Sequence, residues 1–307
     1  MIDQSKWANF EFVRRAENGA LHSAVRTYQS ALNNYLVLKD PSGVYSIEAK
    51  VTVNAINTNN LFAGARIGGF FFSDAAGTYY AQIQIEQDTL GGLTANYLAQ
   101  RCTAGGVQCT SFNDRQTGLI GPVNIGESHT LGIVYDGSIH FTFNFDSNPV
   151  GTITTNPVLP LGSPSVQWMG IGTRVWGMSN PGVSGYVDAN FENVSINGNH
   201  TAISDSNGMI DRNTWSDNTL EFVREQITHG VYGLAVRSPG SFMNSYMDLV
   251  GGGTFNELQA DLTVEQLMHS PNTSPTATPQ MEDTLTPCSI MSMSMVPFTI
   301  TLTPPLV

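Results

Sequence analysis

The chain has 307 residues, of which 13 are basic and 25 acidic, for a net charge of −12. There is no basic stripe, which argues against nucleic acid and against anionic membrane surfaces as partners. No apolar run reaches about 18 residues, so no membrane-spanning helix is predicted, and no signal peptide is visible. Charged residues are only 12% and glycines number 30, the composition of β-structure with many turns.

In chain order, Glu17-Asn18-Gly19 joins two runs, Phe10 to Arg15 and Ala20 to Arg26. Asn-Gly suits a type I′ hairpin turn, which needs positive φ at both central positions. Tyr35 to Leu38 is a short strand stopped by Pro41-Ser42-Gly43. Tyr45 to Val53 places Ile47, Ala49, Val51 and Val53 on one face, and Asn54 to Asn60 reads as loop. Ala65 to Phe72 is a strand interrupted by Gly68-Gly69, which signals a bulge or a close backbone approach. Tyr80 to Glu86 alternates, with Ala81, Ile83 and Ile85 on one face and Gln82, Gln84 and Glu86 on the other. Leu93 to Arg101 follows.

Cys102 and Cys109 bracket Thr-Ala-Gly-Gly-Val-Gln, a turn sequence. In an oxidising compartment they would close a small disulfide loop; the alternative is a pair of reduced thiols at strand ends. Ser128 to Tyr135 and Ser138 to Phe145 form a second hairpin across Asp136-Gly137. Its second strand puts Ile139, Phe141, Phe143 and Phe145 inward and His140, Thr142 and Asn144 outward. Ser165 to Trp176 is a strand, Met178 to Gly185 a loop, and Gly185 to Ile196 a closing strand that carries Val187, Ala189, Phe191 and Val194. Ten to twelve short strands and no helix make a sandwich or a barrel.

The text then recurs. Met1-Ile2-Asp3 and Trp7 return as Met209-Ile210-Asp211 and Trp215. Glu11-Phe12-Val13-Arg14 returns as Glu221-Phe222-Val223-Arg224, and Ala24-Val25-Arg26 as Ala235-Val236-Arg237. This divides the chain into a unit at 1–200, a linker at 201–208, and a partial second copy at 209–264. It implies a piece of a longer repeat array. Residues 265–307 hold 7 of the 15 prolines and no Gly, Lys or Arg. Such text is a disordered tail or a shifted reading frame; another frame through Gln280 to Leu285 can be written as Asp-Gly-Gly-Tyr-Phe, close to Gly68-Gly69-Phe70-Phe71. The first strands of a second copy, without their partners, would expose unpaired edges open to strand exchange with another chain.

The hairpin His129 to Phe145 and the closing Gly185-Tyr186-Val187-Asp188-Ala189-Asn190-Phe191 resemble concanavalin A-like, laminin-G-type jelly-roll domains. The Ile-Asp-x3-Trp … Glu-Phe-Val-Arg opening resembles tandem domains of bacterial surface proteins. The resemblance implies an antiparallel jelly-roll β-sandwich with one concave sheet and a last strand returning beside the first. It implies an extracellular or cell-surface protein that binds carbohydrate or matrix without catalysis, sometimes with calcium. The alternatives are a structural spacer and a degenerate glycoside hydrolase. Hydrolases of this fold carry Glu-x-Asp-x-Glu or Glu-x-Asp-x-x-Glu on one strand. Glu86-Gln87-Asp88 begins such a run, but Leu90 and Gly91 stand where the third carboxylate belongs.

The candidate ligand-binding set is therefore Gln82, Gln84, Glu86, His140, Asn144 and Trp176. The amides and carboxylate would bond sugar hydroxyls and the indole would stack on a ring. The competing account makes the polar residues an ordinary solvated sheet face and Trp176 a buried strand end. Trp7 and Trp215 read as core anchors, and Arg14, Arg26 and Arg66 as solvated or stem-packed strand residues. No cofactor is expected. Asp136, Asp146 and Asp188 are the nearest approach to a calcium set, without the ligand density calcium needs.

Overall fold

The computed structural model describes residues 11–28, 31–59, 61–87, 91–177, 184–216, 221–227, 231–237, 258–262 and 298–302. The strands of the first compact unit are β1 (Glu11–Glu17), β2 (Ala20–Tyr28), β3 (Leu32–Val37), β4 (Ser46–Asn59), β5 (Leu61–Asp74), β6 (Gly77–Gln87), β7 (Leu93–Ala104) and β8 (Ser111–Pro122). They continue with β9 (Ser128–Tyr135), β10 (His140–Phe145), β11 (Asn148–Thr154), β12 (Met169–Gly177), β13 (Ser184–Ile196), β14 (Asn199–His200), β15 (Glu221–Ile227) and β16 (Val231–Arg237). In a second unit, β17 (Leu258–Leu262) and β18 (Phe298–Leu302) form an antiparallel pair. Apart from that pair, the second copy beyond Arg237 and the tail lie outside the described residues, as do Trp7 and Cys288.

Two antiparallel sheets stack face to face. One runs β11-β10-β9-β4-β13-β2-β1-β15-β16, with β14 beside β13, and the other runs β3-β12-β5-β6-β7-β8. β13 lies between β2 and β4, so the last strand of the unit returns beside the first ones. The architecture is an antiparallel jelly-roll β-sandwich. Its core takes every second residue from both sheets: Ile47, Val51, Phe141, Phe143 and Phe191 from one, Ile67, Ile83, Ile85 and Ile171 from the other. Burying each such side chain is worth roughly 1.5–3 kcal/mol. A one-residue slip would turn a strand's whole apolar set outward, so the registers are firmly held.

Local chemistry sets the connections. Asn18 and Gly19 both have positive φ (52° and 80°), the expected type I′ turn. β9 and β10 pair as expected, but across a wider loop, 136–139. There the Asp136 carboxylate accepts from the Ser138 and His140 amides at 2.8 and 3.1 Å. The tight turn comes one strand later, at Asp146 and Ser147 (φ 51° and 63°). Gly68-Gly69 marks close approach: a Cβ on Gly68 would lie 2.5 Å from the Ala81 carbonyl oxygen, and one on Gly69 2.8 Å from Met169. The strands run longer than the sequence predicts around 54–60, where β4 continues to Asn59. β8 and β11 are additional strands, both at sheet edges. Cys102 and Cys109 form the disulfide.

Residues 201–216 pack on this same sandwich. Ile203, Ile210 and Trp215 belong to its core, and Trp215 is fully buried. The Trp215 indole N–H donates to the Ala202 carbonyl at 2.9 Å. The Ser216 amide donates to Val37 at 2.8 Å, and the Lys39 amide to Thr214 at 3.0 Å. The sandwich core thus takes in Ile210 and Trp215, although the sequence recurrence begins at Met209. Beyond Trp215, β15 pairs antiparallel with β1, its own counterpart: Phe12 opposite Arg224, Val13 opposite Val223, Arg14 opposite Phe222.

Candidate functional site: a groove on the six-stranded sheet

Strict alternation along β6 sends Tyr79, Ala81, Ile83 and Ile85 into the core and leaves Tyr80, Gln82, Gln84 and Glu86 on the sheet's outer face. The neighbouring strands add Arg66 and Phe62 from β5, Arg174 and Trp176 from β12, and Asn96, Leu98 and Gln100 from β7. Tyr35 of β3 and Trp168, next to β12, close one side; Arg115 of β8 lies on the other. Together they line a groove of about 980 Å³.

A single chain of hydrogen bonds runs along its floor. Arg66 Nη1 and Tyr80 Oη both donate to Gln82 Oε1, at 2.8 and 2.7 Å. Gln82 Nε2 donates to Gln84 Oε1 at 2.7 Å, and Gln84 Nε2 to Asn96 Oδ1 at 3.1 Å. Asn96 Nδ2 donates to Glu86 Oε1 at 2.5 Å. The two ends fix every amide between them, because arginine can only donate and an ionised carboxylate can only accept. Gln82 and Gln84 are nearly fully buried, so the floor is built in advance of any ligand.

Aromatic rings flank this floor. Trp168 packs edge-on against Tyr35 at 5.3 Å and lies 6.2 Å from Tyr80. Trp176 is half-buried rather than a buried strand end, and stacks on Phe62 at 5.7 Å. Burial pushes the Tyr35 hydroxyl up to about 12 and raises that of Tyr80 as well, so both phenols stay protonated and able to donate.

The charges are unbalanced. Arg66 lies over the Tyr35 ring at 4.6 Å and Arg174 over the Trp176 ring at 5.1 Å. Both leave Nε buried without a hydrogen-bond partner. Burial first, and the charge of Arg66 second, lower the Arg174 pKa below the usual arginine range. Among the described residues Arg66, Arg115 and Arg174 form no ion pair, and Glu86 is the one carboxylate lining the groove.

Four of the six candidates from the sequence, Gln82, Gln84, Glu86 and Trp176, meet in this groove. The structure does not bring His140 and Asn144 there, because β10 belongs to the other sheet. His140 bonds the Asp136 carboxylate at 2.6 Å. Burial opposes the ionisation of Asp136, but this bond and two backbone amides hold its pKa below the usual range. Asp146 and Asp188 likewise each face a histidine, His129 at 2.9 Å and His22 at 3.2 Å. Among the described residues no three His, Cys, Asp or Glu side chains are grouped to hold a metal ion. Asp88 lies outside the described residues. Tyr35, Tyr80, Asn96, Trp168 and Arg174 are additions to the predicted site. Their signal was parity: Tyr80 shares a face with Gln82, and Trp168 and Arg174 share one with Trp176.

No family model matches the chain, and no curated protein matches it. Among solved structures it is similar to sheep galectin-11 in complex with glycerol, at 12% identity and a TM-score of 0.29, covering 52% of this chain and 98% of that one. Porphyranase B from Zobellia galactanivorans has 12% identity and a TM-score of 0.29, with 63% and 87% covered. The alginate lyase from Alteromonas sp. 272 has 10% identity and a TM-score of 0.30, with 61% and 93% covered. At such values, ligand and chemistry must be argued from this chain's own residues. No helix of the described residues is long and apolar enough to cross a membrane.

Proposed function

We propose that the groove binds, without catalysis, a carbohydrate chain that carries acidic groups. The observation that supports this is the pair Arg66 and Arg174, desolvated on the groove floor with no ion pair among the described residues. A buried cation without a counter-charge is costly, and a carboxylate or sulfate would meet both guanidinium forks with charge-assisted bonds. The half-buried Trp176 and Tyr35 on the flanks offer apolar contact to the C–H side of a sugar ring, and the amide chain offers partners for hydroxyls. Against hydrolysis stands the lining, in which Glu86 is the single carboxylate among the described residues. Retaining chemistry needs two carboxyl groups about 5–5.5 Å apart.

The Cys102–Cys109 disulfide suits an oxidising compartment, and with it an exported, surface-displayed protein. A second reading, a spacer in a repeat array, is favoured by the β1–β15 pairing, which extends one continuous sheet from the first copy into the second.

The test is titration of the full chain against matched uronate-bearing, sulfated and neutral oligosaccharides. Binding should be confined to the acidic sugars, weaken as salt rises, and fall with Arg174→Ala in a chain that keeps its circular dichroism. Equal binding of neutral sugars would refute the acidic preference, and silence from a folded protein would favour the spacer.

A further inference from the structure

Resting on the acidic-sugar reading of the groove, we infer that the bound sugar also carries an alkyl chain, received by a subsite on the β8 side. The outer face of a sandwich sheet is ordinarily polar where it meets water. The six-stranded sheet instead carries a hydrophobic cluster of its own there, apart from the core between the sheets: Phe70, Tyr80, Leu98, Cys102 and Trp168, with Cys109 packed against it. Towards β8 the apolar surface comes out into solvent. Val107, Phe112 and Leu119 are 51%, 47% and 72% exposed, and all three line the groove. Single surface hydrophobics need no account, but a grouped set marks a site of contact.

The local sequence fixes this rim in place. The Cys102–Cys109 disulfide closes the loop that carries Val107. Gly105 and Gly106 turn it with positive φ (88° and 53°). The Cys109 amide donates to Gly106 at 3.1 Å and the Thr110 amide to Ala104 at 3.0 Å. Gln100 Nε2 donates to Cys109 Sγ at 3.2 Å and ties the loop to β7. Phe112 pairs opposite Cys102, and the Arg115 guanidinium lies over its ring at 5.2 Å. β8 is an edge strand, so a second copy is the competing occupant. Its pairing with β7 shifts register three times, however, and such bulges blunt an edge against further pairing.

The two sides of the groove therefore call for opposite chemistry in one ligand. Arg66, Gln84, Asn96 and Leu119 stand in one row across β5, β6, β7 and β8. Adjacent strands lie about 4.7–4.9 Å apart, so the cationic and apolar sides are separated by about 14 Å. A sugar ring followed by a chain of several carbons spans that distance, with the amides of Gln84 and Asn96 beneath its middle. A purely polar acidic sugar would leave the apolar rim in water. A neutral amphiphile would leave Arg66 and Arg174 desolvated without a counter-charge.

The test is calorimetric titration of the full chain with methyl glucuronide, octyl glucuronide and octyl glucoside, below the concentrations at which the octyl sugars form micelles. Octyl glucuronide should bind about tenfold or more tighter than methyl glucuronide, a factor that burial of two methylenes already supplies. It should also bind tighter than octyl glucoside. Val107→Ser and Phe112→Ser, both at exposed positions, should bring the octyl-to-methyl ratio towards one, whereas Arg174→Ala should weaken both glucuronides by a similar factor. Equal affinity for the two glucuronides overturns the alkyl subsite and leaves the acidic-sugar reading standing. Equal affinity for octyl glucuronide and octyl glucoside, or binding of neither glucuronide by a folded chain, overturns both. A ratio unmoved by the two serine variants overturns the placement beside β8. So does self-association of the unliganded chain in sedimentation velocity that Phe112→Ser abolishes, which would assign the rim to a second copy.

Discussion

Gln82→Glu should separate the groove's stability from its function. Gln82 Oε1 now accepts from Arg66 and Tyr80 at 2.8 and 2.7 Å. A carboxylate keeps both bonds and turns the first, already charge-assisted at about 1.5–3 kcal/mol, into an ion pair, at the cost of desolvating a buried carboxylate. The loss is the bond that Gln82 Nε2 gives Gln84, at about 1 kcal/mol. Gln84 and Asn96 can each flip, but that presents Asn96 Oδ1 to the acceptor-only Glu86, so the mismatch moves along the chain and does not vanish. The ion pair offsets most of the desolvation penalty but not the lost bond as well, so chemical denaturation should show a fall in stability of about 1–3 kcal/mol. Binding should respond differently. Arg66 would be neutralised from beneath, and losing one charged contact of about 1.5–3 kcal/mol weakens binding roughly 10- to 150-fold. The assay is paired: chemical denaturation, and calorimetric titration with a uronate oligosaccharide. Unchanged affinity in the variant would refute the role given to Arg66; a collapse in stability would refute the account of the amide chain.

Replacing Cys102 and Cys109 by serine opens a short loop, for which chain-entropy arguments give about 2.5 kcal/mol; the thermal midpoint should fall by roughly 5–10 °C in a unit of this size. Gly68→Ala should cost about 1–3 kcal/mol in denaturant titration, because its Cβ would meet the Ala81 carbonyl oxygen at 2.5 Å and neither strand can yield alone. Asp188 should govern part of the acid limb. Burial raises its pKa, but bonds from His22, Asn54 and Tyr186 outweigh that and hold it below the usual range. Its contribution is complete above about pH 4 and lost as pH falls through the folded-state value. Asp188→Asn should therefore flatten the decline in urea midpoint below pH 4, and an unchanged slope would show that the His22 pair carries no linkage.

Much of the fold was legible because alternation is a strong signal wherever one strand face is buried. Ile83 and Ile85, Phe141 and Phe143, and Val187 and Phe191 all face the core as their spacing predicts. The signal fades at edges. β8 and β11 flank only one neighbour each and bury few side chains, so their sequences carry no apolar stripe to read. The turn at 136–139 was misjudged for a different reason: Asp-Gly fits a type I′ turn, but the Asp136 carboxylate also binds two amides beyond it and holds a wider loop open. The segment 201–208 reads as a linker because Ser204, Ser206, Asn207 and Gly208 outnumber its one buried apolar anchor, Ile203, and 209–216 reads as the start of the second copy. Three residues, Ile203, Ile210 and Trp215, are enough to fix both stretches to the core.

The site was legible by half, and the missing half has one cause. Parity tells which side chains turn away from the core, but not which of two sheets a strand joins. Gln82 and His140 satisfy the same rule and lie on different sheets. The order β3-β12-β5-β6 brings Tyr35, Arg174 and Arg66 beside Gln82, and no local pattern contains that order. Net charge misleads in the same way. A chain at −12 appears unsuited to any anion, and for a polyanion that must approach a whole face this holds. Yet exposed charges more than about 8–10 Å apart are largely screened at physiological salt, whereas a ligand in the groove meets, among the described residues, Arg66, Arg115 and Arg174 against Glu86 alone. The acidic surface and the cationic groove thus act over different distances. The surface should repel long anionic polymers and slow their arrival at low salt, while the groove retains an acidic chain end once it has entered.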